Sequence, residues 1–164
     1  KYAQHLIGFT PIPIAYREVR YCGILRDSWY VCHKSECRYT FNDLIHNKSF
    51  PNRERILQSI GKFTAELYKR GVFHQDYSGG HILFNEDRSK IEIIDLNRIK
   101  FYRHMPLKKG LQLFERLNID KEALSILGAT FAQVLGIDEE FVINYIVTHR
   151  WKKHIKQGIT NLYE

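Results

Sequence analysis

No apolar run in this chain approaches 20 residues, and no signal-peptide pattern is visible, so no membrane-spanning helix is expected. Cysteine is scarce. The three present, Cys22, Cys32 and Cys37, form an odd set without framework spacing, which suits a reducing compartment. Cys32, His33 and Cys37 would offer zinc ligands, but no second half-site with ligand spacing follows them. Internal repeats and low-complexity tracts are absent. So is any motif that interleaves aromatic with basic residues, and no nucleic-acid partner is expected. The chain also has no G-x-G-x-x-G loop followed by a strand lysine, and no evident helix glutamate to pair with one.

What is present is enough to fold. The 164 residues are 44% apolar and 13% aromatic, material for the core of one domain or one large lobe. The net charge of +7 gathers locally at Lys108–Lys109 and between Arg150 and Lys156. It reads either as a lysine-rich solvated surface or as attraction to phosphates on a nucleotide or an anionic glycolipid.

Patterning divides the chain. Lys1 to Gly8 reads as the tail of a helix, and Thr10-Pro-Ile-Pro as an extended entry. Ile14 to Cys22 and Ser28 to His33 read as an antiparallel strand pair with a turn over Gly23 to Asp27. A polar connection over Lys34 to Tyr39 precedes a short helix, Phe41 to His46, capped by Thr40. The clearest helix spans Pro51 to Arg70, with Ile56, Leu57, Ile60, Phe63 and Leu67 on one stripe, Asn52 as cap and Gly71 as stop. Later helices are expected over Leu107 to Leu117, Lys121 to Leu135, and Glu139 to about Lys156. The last is capped by Asp138 and turns Val142, Ile143, Ile146 and Val147 inward.

The informative stretch runs from His74 to Arg98, HQDYSGGHILFNEDRSKIEIIDLNR. His74 and Asp76 fall in a loop. Ser78, Gly79, Gly80 and His81 then lead into a short apolar strand, Ile82 to Phe84. After a charged turn a second strand, Ile91 to Ile94, ends on Asp95. A hairpin brings its open ends together, so Asp76 and Asp95 should face one cavity. One carboxylate so placed can hold a divalent metal while the other takes a proton.

His-x-Asp, His81 five residues after Asp76, and Ile-Asp-Leu-Asn-Arg on the second strand resemble the catalytic loop and metal-binding strand of the protein-kinase-like fold. The version with His81 in place of the usual Asn is most similar to the bacterial lipopolysaccharide core kinases, which act on Kdo and heptose. The resemblance implies an α+β fold, mainly the helical large lobe with a few small-lobe strands. Residues 1–33 would be a small-lobe remnant, 34–39 the hinge and 40–164 the large lobe. The glycine-rich loop, its strand lysine and the rest of the small lobe would lie before Lys1.

The same resemblance implies ATP and Mg2+ as cofactors and a glycolipid hydroxyl as acceptor. Asp76 would be the base and Ser78 would reach the transferred phosphate. Asp95 would hold magnesium, with His81 either a further ligand or a support for the Asp76 loop. Cys32, His33, Lys34 and Ser35 would border the adenine, or form an ordinary loop. Leu83 and Ile94 would floor the nucleotide, or belong to the core. Arg98 would meet a substrate phosphate or sugar acid, or make a surface ion pair. The implied location is cytoplasmic, peripheral at the inner face of the bacterial inner membrane. Other readings are an atypical protein kinase, an aminoglycoside-type small-molecule kinase, and a non-catalytic kinase-like binding module.

Overall fold

The structure is a computed structural model that describes residues 6–87 and 90–160, with only the backbone from 150 onward. Its first element is an antiparallel pair, β1 (Pro13–Tyr21) and β2 (Ile24–Cys32). The connection is tighter than the expected Gly23–Asp27 turn: Tyr21 pairs with Ile24, and Cys22 and Gly23 both take positive φ, 48° and 80°. Two successive positive φ values give a turn whose twist matches the strands, and glycine makes the second one inexpensive. The extra residue appears instead as a bulge at Arg26, where the register steps from Val19↔Asp27 to Arg20↔Leu25. Almost every residue of this pair is exposed. Just before it, Leu6 and Phe9 are buried, and the Phe9 carbonyl accepts from the Ile93 amide at 2.7 Å, which fastens the entry to the body.

The segment expected as a purely polar connection ends in a two-residue strand, β3 (Tyr39–Thr40), paired with Leu83 and Phe84. Helix α1 (Phe41–His46) has the expected bounds. Thr40 and Asp43 form a reciprocal capping box, and the Thr40 amide and hydroxyl hold the Asp43 carboxyl below its usual range. Helix α2 (Arg53–Lys69) buries the expected stripe: Ile56, Leu57, Ile60 and Leu67 are fully enclosed, each worth about 1.5–3 kcal/mol of transfer energy. Asn52 precedes it but makes no side-chain cap, because its backbone is left-handed (φ 55°) and directs the amide group elsewhere.

Three strands escape patterning because they are short and pair with segments distant in the sequence. Beside β3 these are β4 (Val72–His74), which takes His74 out of the expected loop, and β7 (Ile99–Phe101), its antiparallel partner. Between them lies the expected hairpin, β5 (Ile82–Phe84) and β6 (Ile91–Ile93), with the sheet order β3-β5-β6. The expected single helix over Leu107–Leu117 is broken: α3 (Leu107–Leu111) tightens into a 3₁₀ segment, Gln112–Arg116. Helix α4 (Lys121–Leu135) packs on α2 through Leu124, Leu127 and Phe131, is capped by Asp120 and ends at Gly136. Helix α5 (Glu139–Thr160) starts with Asp138 accepting from the Phe141 amide at 2.6 Å. Val142 and Ile146 are buried, whereas Val147 faces outward, 41% exposed. The expected Lys1–Gly8 helix tail lies mostly outside the described residues, as do the side chains of the Arg150–Lys156 basic cluster.

Candidate active site

The loop from β4 to β5 is fixed from three directions. Tyr77 is fully buried beneath it, and its hydroxyl lies 2.9 Å from Thr64 Oγ1 on α2. Because the Thr64 hydroxyl donates to the Ile60 carbonyl, Tyr77 is the donor of that bond. Burial pushes the Tyr77 phenol well above its ordinary range, so it stays protonated. Gly79 abuts α1: its carbonyl accepts from the Asn42 amide, and a Cβ at Gly79 would collide with Asn42 Oδ1. The loop is also laced to the second strand. The Gln75 amide donates to the Arg98 carbonyl at 3.0 Å, and the Ile94 amide donates to the His81 carbonyl at 3.0 Å. These bonds lie on either side of both acidic residues and draw them together.

Two histidines below the acids have assignable tautomers. His74 Nδ1 accepts from the Asp76 amide at 3.1 Å, so Nε2 carries the proton and donates to the Ile94 carbonyl at 3.0 Å. Burial lowers the His74 pKa and keeps the ring neutral, the Ile94 carbonyl partly opposing this. His81 is the reverse case. Its Nδ1 lies 2.8 Å from the Asp76 carbonyl, which can only accept, so Nδ1 is the protonated nitrogen; Ser78 Oγ stands 3.2 Å away. Nε2 is the ring nitrogen left facing Asp95 Oδ2, at 3.8 Å.

Asp95 follows β6 in a left-handed backbone conformation, φ 57° and ψ 63°, which aspartate tolerates better than most residues. Its Oδ1 accepts from Asn97 at 3.2 Å. One ligand atom each from Asp76, His81 and Asp95 lies within 4.8 Å of the others. Two carboxylates and an imidazole lone pair, with open positions facing solvent, suit a divalent cation that keeps phosphate and water oxygens as further ligands. Asp76 Oδ1 is also met by Arg116 Nη1 at 2.8 Å. Sequence reasoning missed Arg116, which sits in the unexpected 3₁₀ segment 40 residues along the chain, with nothing local to mark it.

A cavity of about 770 Å³ opens beside Asp95, between the β1–β2 pair and the turn after β6. Cys32 and Ile94 line it with Asp95, joined by Ser28, Tyr30 and Asn97, which the sequence reading did not select. His33 and Lys34 are exposed and absent from this lining, and Leu83 is half-buried on β5. Ser35 is turned another way. Its hydroxyl donates to Glu92 at 2.5 Å, and Glu92 is 3% exposed and also meets Lys90 Nζ at 3.2 Å. That bond ties the 33–38 connection to β6. Arg98 lies outside the 770 Å³ cavity, in a separate pocket with Arg116. Cys32, His33 and Cys37 form no ligand cluster among the described residues.

A second, apolar cavity of about 370 Å³ lies between Leu6–Thr10, the strand pair and Leu96–Phe101; it brings no titratable cluster together. No helix among the described residues is long and apolar enough to cross a membrane. No protein-family model and no curated protein matches this sequence. Among solved structures the fold is similar to that of WaaP in complex with acyl carrier protein, with a TM-score of 0.67 over 92% of this chain and 73% of that one. Identity is 15%, so the likeness establishes a shared mixed α and β fold and nothing finer.

Proposed function

We propose that this chain carries the catalytic centre of an ATP-dependent phosphotransferase acting on a hydroxyl of a lipopolysaccharide inner-core sugar, Kdo or heptose. The convergence of Asp76, His81 and Asp95 beside a cavity of nucleotide size is the observation that carries it. The fold shared with WaaP and the resemblance of the His74–Arg98 stretch to core kinases point the same way.

Phosphoryl transfer asks for an aligned hydroxyl, a proton acceptor and neutralised phosphate charge. In this reading Asp76 orients the acceptor hydroxyl and accepts its proton, held in place by Tyr77 below and His74 behind. Asp95 and the His81 Nε2 lone pair would hold Mg2+, which supplies charge neutralisation at the nucleotide phosphates when bound. Ser78, whose hydroxyl stands 3.2 Å from His81 Nδ1, would help fix that ring and reach the transferred phosphate. Cys32, Ile94 and Leu83 would give an apolar bed for the base, with the His33–Ser35 backbone along its edge. Arg98 would meet the acceptor. Contact with a membrane-anchored acceptor would be peripheral.

The test is turnover of labelled ATP by the complete protein on an inner-core acceptor. Asp76→Ala and Asp95→Ala should each abolish transfer, and near-normal turnover by either would reject the assignment. One observation favours a second reading, a non-catalytic kinase-like binding module: Arg116 already occupies one oxygen of the base. Mg-ATP binding without transfer to any sugar, small-molecule or peptide acceptor would select that reading.

A further inference from the structure

A separate pocket of about 350 Å³ is lined by Gln75, the residue before Asp76, and by Arg116, the partner of the Asp76 carboxylate. Arg98, Lys109 and Arg116 bring three cationic side chains to it, against one acid, Glu115. Phe73 forms its apolar wall, and Lys109 Nζ lies 4.0 Å from that ring's centroid while donating to Gln112 at 2.7 Å. Lys109 is therefore held in place by neighbours that leave its charge unneutralised. Arg98 makes no side-chain ion pair among the described residues. Arg116 engages Asp76 through Nη1 alone, and its side chain is 48% exposed. A guanidinium presents donors along two edges, so Nε and Nη2 remain for a second partner. Three positive charges around one small concavity, in a chain whose own carboxylates neutralise only part of them, are the makings of an anion site.

We infer that this pocket binds an anionic group, carboxylate or phosphate, on the acceptor sugar. Arg116 thereby serves as a positioning residue that links the acceptor's charge to the carboxylate of the base. One planar group holding both partners would set the distance between the acceptor's anion and Asp76. That places a neighbouring hydroxyl at the base, and a neutral sugar would lack the anchor. Assigning the anion to the acceptor rests on the phosphotransfer reading. Binding of an anion in the pocket does not.

The experiment is a titration of the ¹⁵N-labelled complete protein, followed by NMR at the arginine Nε groups. The probes are glucuronate, glucose 6-phosphate and glucose, with a parallel Mg-ATP titration. Saturable shifts of Arg98 and Arg116 with glucuronate, glucose 6-phosphate or both, and none with glucose, are expected; which acid responds identifies carboxylate or phosphate. Arg116→Gln and Arg98→Gln, both at exposed positions, should each weaken the response about tenfold or more, and Arg116→Lys should restore part of it. Equal response to all three sugars, no response, or an unchanged response in Arg116→Gln overturns the inference. Mg-ATP binding without acid-sugar binding removes this pocket but leaves the phosphotransfer reading. Acid-sugar binding without Mg-ATP binding does the opposite.

Discussion

The β1–β2 pair and the loop carrying Asp76 flank the same candidate site, yet they are built in contrasting ways. The strand pair is exposed along nearly its whole length, with Tyr16, Trp29 and Tyr30 about half or more open to solvent and cross-strand contacts such as Arg17 over Trp29 at 5.7 Å. The Asp76 loop rests on a fully buried tyrosine and is bonded to α1, α2 and the segment after β6. An isolated two-stranded ribbon is marginal in water, whereas a loop over a packed helix inherits that helix's stability. The contrast separates two tasks. Groups that must hold a fixed distance, Asp76, His81 and Asp95, sit on the rigid side, while the wall beside the proposed nucleotide sits on the yielding one.

The sharpest way to break this comparison is kinetic. Asp76→Asn and Asp95→Asn should each lower transfer by about 10²–10⁴-fold or more without unfolding the protein, since neither side chain is buried in the core. Ser28→Ala on the strand wall should change kcat/KM for ATP by less than about tenfold. Steady-state assays with circular dichroism as a folding control decide it, and a larger loss at Ser28 than at Asp95 would reverse the assignment of tasks.

Stability should divide along the same line. Ile60→Ala, in the fully buried stripe of α2, should cost about 2–5 kcal/mol in urea denaturation. Trp29→Ala, on the exposed strand, should cost less than about 1 kcal/mol. Comparable losses would mean that the strand pair is part of the cooperative core. Tyr77→Phe is a finer probe: it deletes the bond to Thr64 beneath the loop and should cost about 0.5–1.5 kcal/mol. It should lower kcat more than Trp29→Ala does, because the loop above it carries Asp76.

The same division explains what could be read from the sequence. Helices α1, α2, α4 and α5 were legible because their apolar stripes and end signals are local: Thr40 before Phe41, Ile56 through Leu67, Gly136 after Leu135 and Asp138 before Glu139. The nearness of Asp76 and Asp95 was legible too, since hairpin closure is a local rule. Strands β3, β4 and β7 were not, because, unlike the equally short β5 and β6, their partners lie far along the chain. Glu92, between Ile91 and Ile93, drew no attention in the sequence, and its buried carboxylate is met by Ser35 arriving from 57 residues away. Arg116 likewise acquires meaning only when the 3₁₀ segment carries it to Asp76. Contacts set by a local pattern were visible; those set by tertiary return of the chain were not.

The smallest effect concerns pH. His74 is 1% exposed, accepts from the Asp76 amide and is kept neutral by burial, which sets its folded pKa below the ordinary value of about 6.5. The unfolded chain therefore binds a proton on this ring at a higher pH than the native chain does. Above about pH 6.5 neither state is charged there and the ring contributes its full stability. As pH falls between 6.5 and the folded pKa, the unfolded state gains protons that the native state refuses, and stability declines; below the folded pKa the loss is complete and the slope vanishes. In His74→Gln the polar contacts are partly kept and the titration is removed. The stability difference between wild type and His74→Gln, measured by urea denaturation from neutral to mildly acidic pH, should shrink as pH drops below about 6.5. A difference that stayed constant or grew would mean that His74 is protonated in the native state. The hydrogen-bond direction from the Asp76 amide would then be lost, and the rigid support assigned to the Asp76 loop would fail on the side where it meets the ring.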